Sequence, residues 1–97
     1  MATYVLLSNL TDEGAKTLMQ NPARLQEVNK EIEKFGAKVT AQYAVLGPYD
    51  FVSIVDCPDN ETIARVSVEL GSRGSIRLMT LAATPVANFI RTLRTKD

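Results

Sequence analysis

Residues 45–56 read VLGPYDFVSIVD, a Gly-Pro pair set between two apolar, β-branched runs, and this arrangement obliges the chain to turn back on itself. Upstream, Lys38 to Leu46 alternates, with Val39, Ala41, Tyr43 and Val45 on one side. Downstream, Tyr49 to Cys57 reads as the returning strand, and Pro58 breaks it. A central hairpin across Gly47-Pro48 admits few topologies. What decides among them is the pattern on either side.

Both flanks are helix and strand. Thr3 to Asn9 (TYVLLSN) is short, aromatic and β-branched, and reads as a first strand. TDEGAKTLMQ is weaker and predicts one helical turn opened by Thr11 or Asp12. Asn21-Pro22 then predicts a helix start, with Asn21 as N-cap and Pro22 at the first helical position. Leu25, Val28, Ile32 and Phe35 follow at helical spacing, opposite Arg24, Glu27, Lys30, Glu31 and Lys34, and Gly36 closes the helix. After the hairpin, Asp59 caps a second helix that carries Ile63, Val66 and Leu70 inward, with Ala64 and Val68 beside them, to Gly71. Ser75 to Ala83 (SIRLMTLAA) reads as the fourth strand. Thr84-Pro85 opens a short terminal helix with Val86, Phe89, Ile90 and Leu93 on one stripe, and Arg91, Arg94 and Lys96 near its end.

The order is β-α-β-β-α-β with a tail helix, so the expected fold is α+β and ferredoxin-like. It has a four-stranded antiparallel sheet, two crossover helices on one face, and a short C-terminal helix. At 97 residues, without repeat or linker, residues 1–97 are expected to form a single domain.

A sheet covered on one side should be apolar on that side alone. These strands are apolar on both. Phe51, Ser53, Val55 and Cys57 share one face, while Val52 and Ile54 lie on the other between Asp50 and Asp56. Ile76 and Leu78 oppose Met79 and Leu81, and Tyr4 and Leu6 oppose Val5 and Leu7. A second subunit is the expected cover, giving two sheets face to face; the alternative is that the tail helix alone closes the sheet. Such an assembly leaves room for a lined cavity between sheet and helices, where small molecules bind.

Composition narrows the chemistry. The chain has no histidine, which removes the usual base near neutral pH, the commonest metal ligand and the ordinary haem ligand. With one cysteine, Cys57, neither an intrachain disulfide nor an ordinary zinc site can be built, so no metal and no cofactor is expected. Lys+Arg and Asp+Glu are both 11, which gives no general pull toward nucleic acid or an anionic membrane. No run approaches the roughly 20 apolar residues of a membrane span. The N-terminus lacks a basic region ahead of its apolar stretch, so a cytoplasmic location is expected.

The run YAVLGPYDFVSIVD carries a resemblance. Tyr43, Leu46-Gly47, Tyr49-Asp50 and Phe51-Val52, then Asp59 and LGSRGSIR before the fourth strand, resemble the GYD-domain family of small bacterial and archaeal proteins. LTDEGAKTL followed by NPARL is similar to that family's first helical region, so the likeness covers nearly the whole chain. It implies the fold of the dimeric α+β barrel proteins and a turn like that of leucine-responsive-type effector domains. Those relatives assemble as dimers or larger rings. The resemblance implies no particular reaction, and small monooxygenases of the same superfamily offer analogy alone.

Four residues are candidates for a ligand site: Tyr43, Tyr49, Asp50 and Arg77, with Gly47 and Pro48 as the motif turn. Asp50 has three readings. Its carboxylate accepts backbone N–H groups around the turn, or joins the two phenols on the rim of a pocket as a ligand contact or base, or forms an ion pair across a subunit interface with a cation such as Arg77. Arg77, a charge in an apolar strand, emerges at a sheet edge or pairs with Asp50, Asp56 or Glu69. The segment GSRG at 71–74 follows a helix rather than preceding one, so it reads as cap and turn. Cys57 reads as a structural thiol, Met19 and Met79 as packing residues, and RTLRTK as the complement of a helix end. The favoured function is a homo-oligomeric module binding a small, partly apolar molecule. The alternatives are a cofactor-free isomerase or monooxygenase-like enzyme with Asp50 as base, and a purely structural assembly subunit.

Overall fold

A computed structural model describes residues 1–94; Lys96, assigned above to the helix end, lies outside the described residues. Four strands, β1 (Ala2–Leu10), β2 (Lys38–Ala44), β3 (Phe51–Cys57) and β4 (Ile76–Ala83), form one sheet in the order β2-β3-β1-β4. Every neighbouring pair is antiparallel. Helices α1 (Asp12–Gln20) and α2 (Arg24–Lys34) make the first crossover, α3 (Asn60–Gly71) the second, and α4 (Val86–Arg94) forms the tail. This is the expected α+β, ferredoxin-like arrangement.

The core lies between the helices and one sheet face. Tyr4, Leu6, Val55 and Cys57 from the strands meet Ile32 of α2 and Ile63, Val66 and Leu70 of α3. Val55, Val66 and Cys57 are fully buried. Asp59 caps α3 by accepting the N–H of Thr62 at 2.8 Å, as its position before the helix requires. The Tyr4 hydroxyl donates to Oδ1 of Asn60 at 2.5 Å, fixing β1 to the same helix start, and burial pushes its pKa up. Ala64 and Val68, expected beside the core, are not part of it, because α3 presents only its Ile63-Val66-Leu70 stripe to the sheet.

The first crossover departs from expectation. TDEGAKTLMQ forms a nine-residue helix rather than a single turn. Thr11 caps it by accepting the N–H of Gly14 at 3.1 Å, and donates its own hydroxyl to the carbonyl of Gly74 at 2.7 Å. Gly14 sits so close to the strand entry that a Cβ there would lie 2.0 Å from the carbonyl oxygen of Ser75. Asn21 does not cap α2. It ends α1, with its N–H on the carbonyl of Thr17, and its own carbonyl accepts from Arg24 in the turn that follows. The second helix therefore begins at Arg24, with no side-chain cap.

Strand β2 carries a bulge between Val39 and Ala41. Val39 opposes Val55 on the core face, whereas Ala41 opposes Ile54 and Tyr43 opposes Val52 on the other. The extra residue thus parts two side chains that plain alternation would put together.

Candidate functional site

The second face of the sheet is open. Val5 and Leu7 of β1, Val52 and Ile54 of β3, and Met79 and Leu81 of β4 point there by their register with one another. Met79 and Leu81 retain 48% and 42% exposure, values that show no element among the described residues packs over them. The tail helix does not close this face, so that alternative fails. Val86, Phe89, Ile90 and Leu93, its apolar stripe, are all exposed. The molecule measures 55 × 29 × 19 Å, with a radius of gyration of 15.0 Å, against about 12.5 Å for a compact domain of this length. The tail stands away from the body with its apolar stripe in solvent.

Three of the four candidate residues belong to this face. Tyr43 projects from β2 beside Val52 and is exposed. Tyr49 directs its hydroxyl to Sδ of Met79 at 3.7 Å, across the sheet from the turn that carries it. Arg77 pairs with Asn9 in register, exposed on the edge strand β4, and makes no ion pair among the described residues. Of its two readings the sheet edge is realised.

Asp50 is occupied by backbone. Its Oδ2 accepts the N–H of Leu10 at 2.8 Å. Its own N–H donates to the carbonyl of Ser8 at 2.9 Å, and its carbonyl accepts from Val45 at 2.9 Å, closing the turn around Gly47, whose φ is +119°. The carboxylate therefore reaches past the Gly47-Pro48 turn to β1. Among the described residues it makes no ion pair with Arg77.

A second concave region lies on the opposite side, under the first two helices, and none of its residues is among the four candidates. It is a cavity of about 110 Å3 floored by Leu6, Ser8, Phe51 and Ser53 and roofed by Leu18 and Val28 among others. Arg24 and Arg73 stand at its rim, both bonded to Glu31, with the Arg24 contact at 3.2 Å. The hydrogen bond from Arg73, then that from Arg24, holds the Glu31 carboxyl below the usual range. The available sequence signal was Ser8 and Ser53, hydroxyl residues at core-facing positions of otherwise apolar strands.

Comparison with known proteins agrees with this architecture. The GYD domain family matches residues 4–93. A protein of Thermus thermophilus named "Glutamine synthetase and cystathionine beta-lyase binding protein" is 56% identical over 95 residues, covering 97% of this chain and all of its own length. The crystal structure of TTHA0845 from the same organism superposes with a TM-score of 0.58 at 26% identity, covering 88% of this chain and 95% of that one.

Proposed function

The chain belongs to the GYD domain family, and from that premise we propose that it is a homo-oligomeric binding module. Copies associate across the open sheet face with α4 as part of the contact. Tyr43, Tyr49 and Arg77 form the polar rim at which a small molecule is held, with Asp50 anchoring the neighbouring turn to β1. Larger partners are a glutamine synthetase and a cystathionine β-lyase, by likeness to the relative whose name records binding to those two enzymes. In this reading residues 1–97 act as a single domain in the cytoplasm.

The observation that carries the reading is the pairing of an apolar sheet face with an apolar helix stripe, both exposed on one small chain. Apolar surface of that extent is costly to leave in water and is the usual mark of an association surface. A binding role is favoured over base catalysis because the Asp50 carboxylate is already engaged by a backbone N–H. Oδ2 is thereby spent on holding the end of β1, a structural use of the carboxylate.

Native mass spectrometry and light scattering on the purified protein test self-association. A dimer or larger species is expected, and Leu81→Glu or removal of residues after Pro85 should shift it toward monomer. A monomer at every concentration overturns the assembly. Titration with purified glutamine synthetase and cystathionine β-lyase tests the partner class, and no association with either removes that part of the reading.

A further inference from the structure

The cavity beneath α1 and α2 is lined mainly by apolar side chains, with Arg24, Asn29 and Arg73 among its polar ones and two serines on its floor. There Ser8 and Ser53 stand on adjacent strands as diagonal neighbours, since Ser8 opposes Phe51 and Leu6 opposes Ser53. Ser8 is 8% exposed and Ser53 is 6% exposed, so both are more than nine-tenths buried. Their hydroxyls are not spent. Ser8 Oγ has no hydrogen-bond partner among the described residues, and it lines the cavity instead of being sealed in packed side chains. Ser53 Oγ accepts from Nε2 of Gln42 at 3.0 Å, itself bonded through Oε1 to Asn29 at 2.9 Å, which leaves the Ser53 proton free to donate. No sealed side-chain oxygen among the described residues is left without a partner, so the unbonded Ser8 hydroxyl is one that a molecule in the cavity can reach.

We propose that this cavity is a binding site for a small, uncharged, largely apolar molecule that carries one hydrogen-bonding oxygen, a phenol, alcohol or carbonyl compound. The oxygen sits between Ser8 and Ser53, accepting from one hydroxyl or donating to the other. The hydrocarbon body lies against Leu6, Leu18, Val28 and Phe51. A volume of about 110 Å3 is somewhat under the roughly 150 Å3 of a cavity that takes up a benzene ring, and limits the guest to about one ring, on the order of five to seven non-hydrogen atoms. Charge is excluded by the floor. No hydrogen bond or ion pair among the described residues brings a cation to either serine, and the two arginines at the rim are matched by two carboxylates, Glu31 and Glu27, so a buried carboxylate would lie uncompensated. The site occupies the opposite sheet face from Tyr43 and Met79, and therefore stands or falls separately from self-association.

The test is an NMR titration of the full chain with phenol, benzene and benzoate, repeated on Ser8→Ala and Ser53→Ala. Phenol is expected to bind saturably, shifting signals of Leu6, Val28 and Leu70, and to bind about fivefold tighter than benzene for each hydroxyl it engages. Each alanine variant should lose about that factor for phenol and keep its benzene affinity. Equal affinity for phenol and benzene in the unmodified chain overturns the role of the serines. Tighter binding of benzoate overturns the uncharged class, and no saturable binding of any probe overturns the site. These three outcomes are read on the unmodified protein, so they hold even if a variant folds poorly. A monomeric protein that binds phenol would leave this site standing while removing the assembly.

Discussion

Asp50 fastens Leu10: the carboxylate of a residue just past the hairpin turn accepts the backbone N–H at the far end of the first strand, at 2.8 Å. A charged acceptor lost from a partly buried donor costs about 1–3 kcal/mol. Asp50→Ala should therefore lower unfolding free energy by that amount in urea, whereas Asp50→Asn, which keeps an oxygen acceptor, should cost less. Equal stability of all three proteins would show that the bond contributes nothing. The asparagine variant is then the one in which a binding role can be measured on an intact fold.

Gly14→Ala should be among the most damaging single-atom additions to the chain. The new Cβ would meet a carbonyl oxygen of the backbone, Ser75, at 2.0 Å, and neither main chain can yield without moving a helix or a strand entry. Overpacking of this type costs about 1–3 kcal/mol, or on the order of 4–8 °C of melting temperature per kcal/mol for a domain of this size. An unchanged melting temperature would mean that α1 is not seated on the loop before β4.

Acid should weaken the fold through two carboxylates. Glu31 is held below its usual pKa by the hydrogen bonds of Arg73 and then Arg24, and Asp59 by the side-chain and backbone bonds of Thr62. In both the folded value lies below the unfolded one, so the native state binds fewer protons there as pH falls. Their contribution is complete above the ordinary carboxylate range and is lost as pH drops through the folded values. Urea midpoints should be flat above about pH 6 and fall below about pH 5. Glu31→Gln should flatten part of that fall, and high salt should shrink the Glu31 part because its partners are partly exposed.

Cys57 offers a reporter of opening. Its side chain is fully buried at the end of β3, with Sγ 3.8 Å from the carbonyl of Asp59. An aromatic disulfide reagent should leave it unmodified in the native protein and label it at the unfolding rate in urea. Rapid native labelling would show that the β3–α3 junction opens locally.

The elements legible in the sequence were those whose own residues decide them. Asp59 and the Ile63-Val66-Leu70 spacing sufficed for α3, and the two-sided strands foretold an uncovered sheet face. What escaped was set by distant partners. The first helix has little apolar stripe of its own; the cap at Thr11 and the close seat of Gly14 on Ser75 define it. Asn21-Pro22 carried a sound start signal, but Asn21 was already committed to ending α1. The bulge beyond Val39 leaves no mark, since Thr40 is an ordinary strand residue, yet it decides which face Tyr43 joins. The hollow over Ser8 and Ser53 depends on how high the helices ride above the sheet, and no local pattern encodes that distance.

The bulge in β2 also governs how the sheet can grow. Its two open margins are β2, interrupted beyond Val39, and β4, which carries the exposed guanidinium of Arg77 near the start of an otherwise apolar strand. An incoming strand would meet a broken hydrogen-bond ladder on one margin and a charge on the other, two obstacles to fibril-like extension. Sideways polymerisation is thereby discouraged at both ends of the sheet, while its broad apolar surface stays available for stacking.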